Sequence, residues 1–100
     1  MNASAISRAL NAAGIRKSSS RKGRIMRITS EGFEVENLSS GRVLIEYRKH
    51  SELIWSIPTA RESWLNRKAE ARKAIEAVLE AKGFKFEVDD QDFVLTIWVG

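Results

Sequence analysis

The decapeptides ISRALNAAGI (6–15) and IEAVLEAKGF (75–84) follow one formula: Ile-x-x-[Ala/Val]-Leu-x-Ala-x-Gly-apolar. This repeated phrase constrains the fold more than any other feature. Ile6, Ala9, Leu10 and Ala13 are spaced i, i+3, i+4, i+7, which sets them on one helical face, and Ile75, Val78 and Leu79 repeat the pattern. A glycine at 14 or 83 can take the left-handed conformation that closes a helix. The apolar residue after it, Ile15 or Phe84, then folds back onto Leu10 or Leu79. Each copy therefore predicts an amphipathic helix with a Schellman-type end.

A hairpin pattern follows each copy. GFEVENLSSGRVLIEYR predicts strands near 33–38 and 42–48, and FKFEVDDQDFVLTIWVG predicts strands near 84–89 and 93–99. Alternation puts Val43, Ile45 and Tyr47 on one face, and Phe93, Leu95, Ile97 and Val99 on one face of the last strand. Two αββ units are expected within a single domain, 1–100, as an internal repeat over 3–48 and 60–99. The first unit carries an insertion, RKSSSRKGRIMRITSE. Its first part, 16–24, is basic. Its second part, RIMRIT, is β-branched enough for a further strand that turns at SEG into FEVEN. The expected fold class is α+β, in the order α-β-β-β-α-β-β, with one antiparallel sheet packed against two helices.

The second helix has the clearest start. Pro58 precedes Thr59 and Glu62, a T-x-x-E capping box. Trp64, Ala71, Ile75, Val78 and Leu79 form the expected buried stripe. Arg67, Lys68, Glu70, Arg72, Lys73, Glu76 and Glu80 fall on the wet faces. HSELIWSI (50–57) reads as an apolar connection under this helix or as an edge strand.

Composition excludes several classes. With 43% hydrophobic and 30% charged residues and one proline, the chain is that of a globular domain, not a disordered one. It has no cysteine, so disulfides, thiolate metal sites and thiol catalysis are excluded. The N-terminus lacks the apolar core of a signal peptide, and stretches such as VLTIWV are too short to span a bilayer. A cytoplasmic protein with no membrane partner is expected.

Charge is unevenly spread. Residues 1–50 hold ten Arg/Lys and four Glu, a net of +6, and residues 51–100 hold seven Arg/Lys and nine Asp/Glu, a net of −2. Arg8, Arg16, Lys17, Arg21, Lys22, Arg24 and Arg27 follow one another with no acidic residue between them. Such asymmetry points to a polyanion or to a partner of mixed charge. Within it, Ser18, Ser19 and Ser20 add short hydroxyl donors, and glycines let a backbone approach closely. Arg16, Lys17, Ser18, Ser19, Ser20, Arg21, Lys22, Arg24 and Arg27 are the candidate nucleic-acid contacts, through phosphate. The competing reading is a solvated connector. No aromatic residue lies within 16–32, so base stacking from this stretch is not expected.

The other candidates are weaker. Asp89, Asp90 and Asp92 could hold a hard cation, but hairpin turns favour Asp anyway. His50 stands alone. No nucleotide-binding glycine fingerprint, nucleophile elbow or paired-histidine motif is present, and no catalytic residue, metal or cofactor is expected. Trp64 belongs to the core stripe. Trp98 points away from Ile97 and Val99, and Trp55 lies in the ambiguous connection. Either could anchor a protein interface.

Two resemblances add to this reading. An α-β-β-β-α order with cations early on its last helix is similar to the double-stranded-RNA-binding domain, which grips phosphates with lysines at the start of its second helix. Arg67, Lys68, Arg72 and Lys73 are the nearest match, although they fall a turn or more inside the helix and Glu70 interrupts them. The pieces ALNAAGI, SEGFEVEN, VLIEYR and LEAKGF resemble small accessory proteins of actinobacterial phages and prophages, most of them without an assigned activity. That resemblance implies a small non-enzymatic binding protein acting inside a host cell, on host nucleic acid or host machinery. The expected function is nucleic-acid binding through the basic stretch. The alternative is a protein-binding inhibitor or adaptor that uses sheet-face aromatics against a host protein.

Overall fold

A computed structural model of the chain describes residues 2–17, 20–22, 27–29, 31–48, 57–92 and 94–100. Two helices, α1 (Ala3–Ala12) and α2 (Pro58–Ala81), pack on one face of a four-stranded antiparallel sheet. Its strands are β3 (Gly32–Asn37), β4 (Val43–Arg48), β5 (Phe86–Asp90) and β6 (Val94–Val99), in the order β3-β4-β6-β5.

Both helix ends follow from the repeated phrase. Gly14 and Gly83 have φ of 82° and 75°, and the amides of Ile15 and Phe84 return to the carbonyls of Leu10 and Leu79 at 3.2 and 3.0 Å. The positive φ is open to glycine at little cost, which is why the phrase ends there. At the other end of α1, the Asn2 side chain accepts from the Ala5 amide at 2.8 Å and caps the helix.

Strand alternation fills the core. Phe33, Val43, Ile45, Tyr47, Leu95, Ile97 and Val99 turn inward and meet Ile6 and Leu10 of α1 and Trp64, Ile75 and Leu79 of α2. Phe93, expected on this face, lies outside the described residues. Among the described residues no helix or strand covers the opposite face. The strand register there lines up Glu87, Trp98, Leu44 and Glu36 in one row, and Asp89, Thr96, Glu46 and Glu34 in the next.

Three expectations are corrected. The sheet is not single: Arg27–Thr29 (β2) does not join it, but pairs with Ser20–Lys22 (β1) in a separate two-stranded ribbon. The order along the chain is therefore α-β-β-β-β-α-β-β. The reason lies at the start of the β3 edge, where the segment after α1 already sits. Lys17 forms a parallel bridge with Phe33, whose amide donates to the Arg16 carbonyl at 3.0 Å. The Thr59–Glu62 capping box does not form either. Pro58, with its φ already helical, starts α2 two residues earlier, so Ile57 is the N-cap and contributes no side-chain bond. Finally, Lys68 is not on a wet face: it is 5% exposed. The segment 50–56, with Trp55 and His50, lies outside the described residues.

Candidate nucleic-acid interface

The basic stretch leaves α1 through Ile15, which is buried, and Arg16 and Lys17, which are exposed. It then enters the ribbon, whose register sets Ser20 against Thr29, Arg21 against Ile28 and Lys22 against Arg27. Lys22 and Arg27 are thus directly opposed like charges, an arrangement that disfavours a strand pair unless an anion offsets it. Of Ser20, Arg21, Lys22 and Arg27 the backbone is described and the side chains are not; Ser18, Ser19 and Arg24 lie outside the described residues.

Three of the four cations that resemble the RNA-binding helix are paired with carboxylates instead, and one of them, Lys68, is buried. Arg67 reaches both oxygens of Glu31, at 3.1 and 3.0 Å, and also donates to Ser63. Lys68 pairs with Asp90 at 2.6 Å and donates to the Gln91 carbonyl. Arg72 adds a second contact to Asp90 at 3.0 Å and faces Glu76 at 3.4 Å. Only Lys73 of the four is exposed with no ion pair among the described residues.

These contacts also explain the acidic turn. Asp90 receives Lys68 and Arg72, Asp89 accepts from Gln91 at 3.2 Å, and the Asp92 carbonyl accepts from the Trp64 indole at 2.8 Å. The turn between β5 and β6 is where α2 docks. Among the described residues no group of three or more His, Cys, Asp or Glu could hold a metal ion. Sequence reading missed Lys68, yet its spacing gave the signal. It falls four residues after Trp64 and three before Ala71, on the buried stripe.

Burial alone would raise the Asp90 carboxyl, but hydrogen bonds and charge from Lys68 and Arg72 outweigh it and hold the group below its ordinary value. A carboxylate with a depressed folded value stabilises fully above the unfolded range and loses that contribution as pH falls through the folded value. Melting curves of wild type and Asp90→Asn should therefore differ at neutral pH and converge below about pH 4. A difference that stays constant across the acid range would mean that the clamp does not depend on this ionisation.

A hollow of about 560 Å³ opens between the end of α1 and the middle of α2, with Arg16, Glu31, Tyr47 and Arg67 among its walls. The Tyr47 hydroxyl donates to Glu31 at 3.3 Å. Burial, then the Glu31 carboxylate, raises the Tyr47 pKa against the smaller pull of Arg16 and Arg67, so the phenol remains a donor. The Glu31–Arg67 pair largely satisfies this hollow from within. A second groove, of about 530 Å³, runs along α1 beside β3 and is lined by Ala3, Ser4, Ser7, Arg8, Lys17 and Val35.

The sheet face that no described helix or strand covers has the opposite character. Glu34, Glu36, Glu46, Glu87 and Asp89 surround Leu44 and a half-buried Trp98, with Arg48 in contact with Glu34 at 3.4 Å. Acid is thus collected on the sheet, away from the basic segment that follows α1. No helix among the described residues is long and apolar enough to cross a membrane. Comparison with known proteins finds no matching family model, no matching curated protein and no matching solved structure.

Proposed function

We propose that this chain is a small nucleic-acid-binding protein that grips phosphates through its basic segment, Arg16 to Arg27, inside a host cell. The observation that carries the reading is the ribbon. The sequence densest in cations forms a two-stranded antiparallel element apart from the main sheet, with Lys22 opposite Arg27. A two-stranded ribbon fits the major groove of a duplex, and a phosphate offsets the like-charge pairing. Arg16 and Lys17, exposed and without ion pairs among the described residues, extend the positive path toward α1. Binding by phosphate contacts tolerates changes of base sequence.

The test is a fluorescence titration of the wild-type protein on a random-sequence duplex over a salt series. With Arg16, Lys17, Arg21, Lys22 and Arg24 each neutralising a phosphate, the log–log slope should be about −4 to −5 or steeper, at roughly −0.9 per contact. No binding at low salt would overturn the reading.

A second reading has one observation in its favour. Trp98 and Leu44 form a half-buried apolar centre within the acidic sheet face, which suits a basic protein surface. Under that reading, capture of a host protein survives nuclease treatment and is lost in Trp98→Ala.

A further inference from the structure

The groove between α1 and β3 is assembled from chemistry suited to phosphate. Ser4, Ser7 and Arg8 are spaced i, i+3, i+4, which places them on one face of α1, beside the buried stripe of Ile6 and Leu10. Lys17 closes the groove from the other wall, where its bridge to Phe33 holds its backbone. Ala3 and Val35 supply an apolar floor. Both walls are tied in place. Asn2 caps α1, and the Ala3 amide donates to the Asn37 side chain at the end of β3 at 2.8 Å. The volume of about 530 Å³ lies within the range of small-ligand clefts.

Its charge is what singles it out. Among the described residues no carboxylate lines the groove. Arg8 and Lys17 make no ion pair with any described residue, whereas Arg42, Arg48, Arg67, Lys68 and Arg72 all do. Two cations with no ion pair among the described residues and two hydroxyl donors on small side chains fit a tetrahedral oxyanion. The groove also lies on the path of the basic segment. Ser20 follows Lys17 by three positions, a span of at most about 11 Å.

We infer that Ser4, Ser7, Arg8 and Lys17 form a phosphate subsite that carries the backbone of a bound nucleic acid from the ribbon onto α1. This rests on the nucleic-acid reading above and names contacts outside the basic segment. The same chemistry could hold a free diphosphate, so the test has two arms.

The first arm compares wild type, Arg8→Ala and Arg8→Glu on the random-sequence duplex over a salt series. Arg8 is exposed and makes no ion pair among the described residues, and alanine is a good helix former, so the fold is retained. Arg8→Ala should flatten the log–log slope by about 0.9 and weaken binding equally across sequences, with a larger loss for Arg8→Glu. In the second arm, amide shifts of Ser4, Ser7, Arg8 and Lys17 are followed on adding the duplex or pyrophosphate. Duplex should move these amides together with those of the ribbon. If wild type binds duplex and neither Arg8 variant changes the slope, the subsite is overturned and the ribbon reading stands. If duplex does not bind but pyrophosphate moves the four amides, and Arg8→Ala abolishes that, the nucleic-acid assignment falls and the groove is a diphosphate site. Shifts with neither probe overturn both.

Discussion

Replacing Trp64 by alanine should destabilise the domain by about 3–5 kcal/mol, the range for a large aromatic removed from a packed core. Trp64 is 1% exposed and stacks on Tyr47 with ring centroids 5.8 Å apart and planes within 5°. Its indole donates to the Asp92 carbonyl at 2.8 Å, one of the bonds that join α2 to the β5–β6 turn. The truncation removes core volume, the stack and the donor together. Domains of this size have about 5–15 kcal/mol in total, so much of the stability would go. A melting temperature lower by at least about 12 °C is expected. Trp64→Phe keeps a ring against Tyr47 and loses the donor, and should cost far less, since one hydrogen bond contributes about 1 kcal/mol. Denaturant unfolding of the two variants separates packing from the bond. A cost below about 1 kcal/mol for Trp64→Ala would contradict this account of how α2 docks.

Much of that core was legible in the sequence. Helical period placed Trp64, Ala71, Ile75 and Leu79 on one stripe, and strand alternation placed Val43, Ile45, Tyr47, Leu95, Ile97 and Val99 on one face. These patterns are local, because a side chain's direction follows from its own backbone. The helix ends at Gly14 and Gly83 were legible for the same reason. Lys68 was misplaced because residue type overrode period: a lysine inside the stripe was read as wet. Its carboxylate partner, Asp90, lies at the end of β5, far along the chain, and periodicity says nothing of such pairings.

Strand partners were the other failure. RIMRIT has strand propensity, but propensity does not choose a neighbour. That choice was made by the segment after α1, whose contact with Phe33 occupies the start of the β3 edge. The candidate site divides in the same way. The basic stretch was visible as charge. The groove of Ser4, Ser7 and Arg8 was not, because it exists only once α1 lies against β3 and Lys17 returns beside it. The cations of α2 misled for want of their counter-ions, Glu31 and Asp90.

The largest functional effect is expected from Arg21→Ala, Lys22→Ala and Arg24→Ala together. Each removed cation ends the release of roughly 0.9 counterions, so the log–log salt slope should flatten by about 3. Weakening should be uniform across sequences, because phosphate contacts position a duplex without reading it. The ribbon is separate from the four-stranded sheet, and the core residues lie in the sheet and helices, so thermal stability should change little. Arg8 and Lys17 remain in this variant, and so should the residual slope they supply. The decisive measurement is the slope difference between wild type and this triple variant on a random-sequence duplex, at matched folding. A difference of about 3, with weaker binding at every salt concentration, is the predicted result. Equal slopes, or a wild type that does not bind at low salt, would contradict the phosphate-gripping role of the ribbon.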